Sequence, residues 1–206
     1  MNELNAKFNI EDFYFHDDYL PVYPDWMRKF CTGLQNAKEP FTWSCVSRVE
    51  TLSKEILFLM KNSGCRQIAV GIESGSQKVL DILSKRIKIE KLIEGLNRIK
   101  DAGINIKALF ILDTPGETIS DNFKTLNLIS SNNFSHVQFN FYNPLPGSRD
   151  YKQYNETEHN WEKMNLRCSL GYSMINHRLF PLIELIFYLI AYFNWALKVL
   201  YSKIIK

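Results

Sequence analysis

The 206 residues suffice for one domain with a real core, or for a domain and an appendage. Hydrophobic residues make up 46% and charged residues 23%, an ordinary globular balance that excludes wholesale disorder. A formal net charge of +3, scattered along the chain, gives no ground for a nucleic-acid partner.

Five short β-type runs follow in chain order: Phe13–Phe15, Phe41–Trp43, Gln67–Val70, Ile106–Leu112 and Val137–Tyr142. Helical periodicity fills the intervals. Ser53–Asn62 gathers Ile56, Leu57 and Met60 on one side, and Gly64 closes that helix. Glu90–Ala102 gathers Leu92, Ile93, Leu96 and Ile99, with Gly103 as its stop. Strand starts recur every 26 to 39 residues, the length of a strand–helix–strand crossover, so an α/β fold with a parallel sheet is expected. Periodicity alone leaves open whether the sheet is doubly wound or part of a barrel.

In parallel α/β folds the site forms at the carboxyl ends of the strands. Polar and glycine residues cluster there: His16-Asp17-Asp18, then Trp43, Ser44 and Arg48, then Gly71 to Ser76, then Asp113 to Thr118, then Asn143 to Ser148. Each cluster alone reads equally as a helix cap or turn. Together at successive strand ends they favour one ligand pocket, because glycines admit close approach and carboxylates hold hydroxyls or an ammonium.

The ordered set Gly71-Ile72-Glu73-Ser74-Gly75-Ser76, Lys85, Ala102-Gly103-Ile104, Pro115-Gly116-Glu117-Thr118 and Pro144-Leu145-Pro146-Gly147-Ser148 resembles the core of the radical S-adenosylmethionine (radical SAM) superfamily. It is most similar to the subfamily that often carries an upstream cobalamin-binding domain. The resemblance covers roughly residues 8 to 150 and implies a partial parallel (β/α) barrel over 1–150 that lacks its first strand. It places Asp17 and Asp18 near the amino group of the methionine moiety of SAM, and Glu73 and Ser74 near ribose and carboxylate. Ile111 through Glu117 falls on the motif that supports the adenine, Asn143 and Pro144 lie near the adenine, and Arg48 faces the pocket. No catalytic residue is assigned.

Two departures accompany the resemblance. Asp113 stands where the subfamily usually has glycine, so the turn gains a side chain and a charge. The C-x3-C-x2-C loop that holds the [4Fe-4S] cluster has no counterpart, and the chain is expected to be truncated just after it. Cys31, Cys45, Cys65 and Cys168 lie 14, 20 and 103 residues apart, too far for a local metal clamp, and are expected at scattered positions as free thiols. No metal ligand is assigned, and with no signal peptide at Met1 a cytoplasmic location is expected.

Residues 151–206 are expected to form a hydrophobic helical extension. In Phe180–Tyr201 the polar Glu184, Asn194 and Lys198 fall within ~80° of one another on a helix, and the rest is apolar. A helix lying on the inner face of the membrane, packing against protein, and a transmembrane span all remain open, the last disfavoured by Glu184 and Lys198. The functional expectation is a fragment of a radical SAM enzyme, whose complete form makes a 5′-deoxyadenosyl radical or passes a methyl group through cobalamin. The alternative is a non-catalytic remnant serving as a binding or scaffold subunit. Expected partners are an unidentified small-molecule substrate and a separately encoded N-terminal segment.

Overall fold

A computed structural model describes residues 1–17, 20, 23–37, 40–142, 144, 147–148 and 150–151. Helix α1 (Asn2–Phe8) leads into β1 (Asp12–Phe15), α2 (Pro24–Gln35), β2 (Thr42–Ser47), a 3-10 turn (Val49–Thr51), α3 (Lys54–Asn62) and β3 (Cys65–Glu73). Helices α4 (Gln77–Ile82) and α5 (Ile89–Asp101), β4 (Asn105–Leu112), α6 (Ile119–Ser131) and β5 (His136–Phe141) complete the order. The five strands hydrogen-bond in sequential order β1-β2-β3-β4-β5, and β1 pairs with β2, and β2 with β3, in parallel. A helical crossover between each pair of neighbours produces this order, since each helix returns the chain to start the next strand in the same sense.

Helix starts follow local chemistry. Pro24 occupies the first turn of α2, where its missing N–H costs nothing. Ser53 caps α3 by accepting a hydrogen bond from Ile56 N at 3.2 Å. All five strands expected from the sequence are present, several of them longer than their apolar runs. The Phe41–Trp43 run extends through Ser47, because Thr42, Ser44 and Val46 form the half-buried alternate face of the strand. Ser44 is therefore in mid-strand, not at its end, and Arg48 is the first residue beyond it.

The described residues divide into two compact units, Met1–Ile72 with Ile87–Ala108 and Phe134–His136 in the first, and Glu73–Arg86 with Leu109–Asn133 and the described residues from Val137 to Tyr151 in the second. The first unit has a core of Met27, Trp43, Leu52, Leu57, Met60, Ile68, Leu92 and Leu96, all buried. Trp43 donates its indole N–H to Ser63 O at 2.9 Å and meets Phe15 and Phe30 edge-on at 5.9 and 5.4 Å. Trp43→Phe is expected to cost about 1–2 kcal/mol, read by chemical denaturation, because Ser63 O is left without its donor in a buried site. In the second unit Phe110 and Phe139 pack at 5.7 Å between ring centroids, with Val79, Leu80, Leu112 and Ile129 also buried.

The expectation that the cysteines are scattered is corrected. Cys31, Cys45 and Cys65 are all buried in the first unit, and Cys45 and Cys65 interact directly. Parallel pairing of β2 with β3 brings together residues far apart in sequence. Among the described residues no helix is long and apolar enough to cross a membrane. Phe180–Tyr201 and Cys168 lie outside the described residues.

Candidate active site

The second unit carries two polar turns, each at the carboxyl end of a strand. Glu73 ends β3 with φ 66, a left-handed backbone that a non-glycine residue adopts at a cost of about 1 kcal/mol or more. That conformation turns the chain into Ser74-Gly75-Ser76, of which both serines are fully buried. The Glu73 carboxylate accepts a hydrogen bond from Lys85 Nζ at 2.7 Å. Both side chains are shielded, with 19% and 16% of their surface exposed. Lys85 belongs to the motif set but was not singled out as a site residue. Its sequence offers only a lysine after a helix, and the left-handed bend at Glu73 is what turns the carboxylate toward it.

The second turn, Asp113 to Thr118, follows β4. Asp113 has φ 63 and is 3% exposed, so an aspartate does fill a left-handed position that suits glycine. Glu117 folds back so that its Oε2 accepts from Thr114 N at 3.1 Å. Glu117 Oε1 and Thr114 Oγ1 are buried and have no hydrogen-bond partner among the described residues, an arrangement that fits donor groups of a ligand. Burial, with a smaller push from the Asp113 charge, raises the Glu117 carboxyl from the ordinary 4.5 to about 7, against backbone hydrogen bonds from Thr114 and Asp113.

A buried network joins these turns. Asp121, in the first turn of α6 and 2% exposed, accepts from Ser76 Oγ at 2.6 Å, Thr118 Oγ1 at 2.6 Å and Thr118 N at 3.0 Å. Lys78 Nζ reaches both Asp121 Oδ2 at 3.2 Å and Gly116 O at 2.6 Å. Thr125 Oγ1, one turn further along α6, accepts from Gly75 N at 2.9 Å and lies 3.0 Å from Ser74 Oγ. Burial opposes the charge on Asp121, but the hydrogen bonds from Ser76, Thr118 and Lys78 outweigh it and hold its carboxyl below the ordinary range. A depressed carboxyl contributes stability that is present above its unfolded range and lost as the pH falls through the folded value.

The remaining candidates fall elsewhere. Asp17, just past β1, and Arg48, just past β2, are both exposed and belong to the first unit. Asp18 and Asn143 lie outside the described residues. Sequence reasoning missed Asp121, Thr125 and Lys78. The Thr118-x-x-Asp121 spacing marks a capping box, but nothing in it signals that the same carboxylate also serves Ser76.

Residues 2–129 match the radical SAM superfamily. The chain belongs to this superfamily. Among its relatives are an uncharacterized methyltransferase of Pyrococcus horikoshii, 26% identical over 146 residues, and cytidylyl-2-hydroxyethylphosphonate methyltransferase of Streptomyces wedmorensis, 24% identical over 152 residues. These matches cover 71% and 70% of this chain but only 32% and 28% of the relatives, so the chain spans less than a third of their length. The radical SAM methyltransferase TsrM from Kitasatospora setae, solved with cobalamin and a [4Fe-4S] cluster, is similar in fold, with a TM-score of 0.62 at 16% identity over 70% of this chain and 30% of its own. The fold is thus that of the radical SAM core.

SAM and a [4Fe-4S] cluster are the cofactors that the superfamily implies. The polar turns fit SAM: a shielded carboxylate–ammonium pair and buried acceptors without partners suit a nucleoside joined to an amino acid. A cluster does not fit the described residues, among which no three His, Cys, Asp or Glu side chains are grouped to hold a metal. Cluster ligation needs thiolates, and the Cys65 thiol is pushed up by its hydrogen bond with Cys45 and by burial, and the Cys31 thiol by burial.

Proposed function

We propose that this chain holds the nucleoside and methionine parts of SAM at the carboxyl ends of β3 and β4, as the SAM-binding portion of a radical SAM methyltransferase linked to cobalamin. The observation that carries the SAM part is the shielded Glu73–Lys85 pair, in the same unit as the unpartnered acceptors of Thr114 and Glu117. In this reading Glu73 accepts the ribose hydroxyls and Lys85 offers its charge to the methionine carboxylate. Ser74 is held beside them, and Thr114 and Glu117 present acceptors to the base. Asp17 and Asp18 are assigned to the amino group, Asn143 to the adenine and Arg48 to the pocket rim.

Methyl transfer is supported by the names of the Pyrococcus and Streptomyces relatives, and cobalamin by the cofactor bound in TsrM. Cluster ligands are assigned to polypeptide outside the described residues, in a separate chain or in a longer form of this one, and no electron-transfer step is derived through these residues. The buried thiols favour one second reading, a SAM-binding subunit without chemistry of its own. Anaerobic reconstitution with iron and sulfide of a fusion that places a C-x3-C-x2-C segment ahead of this chain separates the two, since cluster-dependent cleavage of SAM excludes that second reading.

Equilibrium dialysis of the full chain with S-adenosylhomocysteine tests the binding site without a cluster. Saturable binding is expected at neutral pH, weakened about tenfold by Lys85→Ala through loss of a charge-assisted contact. A chain that takes up no S-adenosylhomocysteine, or a variant that binds as well as the parent, would overturn the assignment.

A further inference from the structure

We infer that Asp121 is a positioning residue that locks the two ligand-facing turns, Glu73–Ser76 and Asp113–Thr118, into one register. Its relevance to a ligand rests on the SAM-binding reading above, whereas the lock itself rests on hydrogen bonds alone.

A helix cap would need far less than is present. In a capping box the residue at the third position returns one bond to the cap residue, and Asp121 Oδ2 does this with Thr118 N at 3.0 Å. Its Oδ1 is used differently, accepting from Ser76 Oγ at 2.6 Å, from a turn 45 residues earlier in the chain. Lys78 repeats the connection from the other side, since one ammonium spans Asp121 and the carbonyl of Gly116. Thr125 holds the middle of the first turn through Gly75 N and Ser74. Both turns are thereby fixed to the first two turns of α6, with the carboxylate at the junction.

The chemistry suits a lock better than it suits catalysis. Asp121 is 2% exposed and both of its carboxylate oxygens already accept hydrogen bonds within the protein, so it has none left to offer a substrate. A carboxylate can receive several donors at once, and bonds to a charged acceptor are shorter and stronger than neutral ones, so one residue restrains two loops far apart in the chain. Glu73 and Glu117 belong to the turns so joined. A ligand that touches both needs their separation fixed beforehand, otherwise binding must supply the ordering.

Hydrogen–deuterium exchange of the full chain, together with S-adenosylhomocysteine dialysis, tests the inference. The amides of Gly75, Ser76, Thr114 and Thr118 all donate to side chains and report each turn separately. Asp121→Asn is expected to speed exchange at both turns by about tenfold and to weaken S-adenosylhomocysteine by a similar factor at temperatures well below melting. Ser76→Ala leaves the capping box intact, and is expected to loosen only the first turn while still weakening the ligand. If Asp121→Asn fails to fold, Ser76→Ala decides alone. Loosening confined to the second turn in Asp121→Asn, or unchanged exchange at the first turn in Ser76→Ala, overturns the lock. Loosened turns with unchanged affinity overturn the positioning role. A parent chain that does not bind S-adenosylhomocysteine instead defeats the SAM-binding reading, and the exchange data still decide the lock.

Discussion

Gly75→Ala is expected to destabilise the second unit by about 3 kcal/mol or more and to abolish binding of S-adenosylhomocysteine. A Cβ at this position would lie 2.6 Å from Lys124 O, 2.7 Å from Thr125 Cα and 2.8 Å from Lys124 C. All three are backbone atoms of α6, so no rotamer change relieves the overlap, and either the helix or the turn must move. Movement of the turn breaks the bond from Gly75 N to Thr125 Oγ1 and shifts Glu73, two residues away. Gly33→Ala is the control, since a Cβ there meets nothing within 4 Å. Inside α2 that change should be neutral or stabilising by up to about 1 kcal/mol, because alanine is the better helix former. Thermal melts and dialysis on the two variants read the contrast, and equal behaviour would show that the contact between Gly75 and α6 is not tight.

Removing the charge of Glu117 is expected to stabilise the chain at alkaline pH. Burial raises its carboxyl from 4.5 to about 7, so the folded state retains a proton that the unfolded chain has already released. A raised value means that the native state is relatively most favoured below 4.5 and loses that advantage as the pH rises to 7. With one pKa unit equivalent to 1.36 kcal/mol, the loss over this window approaches about 3 kcal/mol. Glu117→Gln has no such titration and keeps an oxygen that can accept from Thr114 N. Relative to the parent, it should gain stability as the pH rises from 5 to 8, with no further gain above 8. Urea denaturation across that range is the measurement. A stability difference that does not vary with pH would mean that Glu117 is hydrated in the folded chain.

Much of the fold was legible in the sequence. The five apolar runs, with crossovers of regular length, specify a sequential parallel sheet because each helix must return the chain in one direction. Strand ends were less legible: Ser44 looks like an exit residue, yet it continues β2 on its half-buried face. Pairing between strands is also invisible locally, which is why three cysteines spread over 35 residues of sequence occupy one core.

For the candidate site, the sequence by itself determined which residue types stand at each strand end. Glu73 with Ser74 and Glu117 with its glycine-bearing turn follow from motif and spacing, as does the left-handed tolerance required of Asp113. Tertiary structure alone decided what those residues face. The Glu73–Lys85 pair depends on a left-handed bend, the unpartnered acceptors of Thr114 and Glu117 on burial, and the double duty of Asp121 on the distance between two turns far apart in the chain. Motifs reflect local backbone requirements, which act over a few residues. Burial and long-range hydrogen bonds arise only when separate segments meet, so the chemistry of the site could be named from the sequence but its geometry could not.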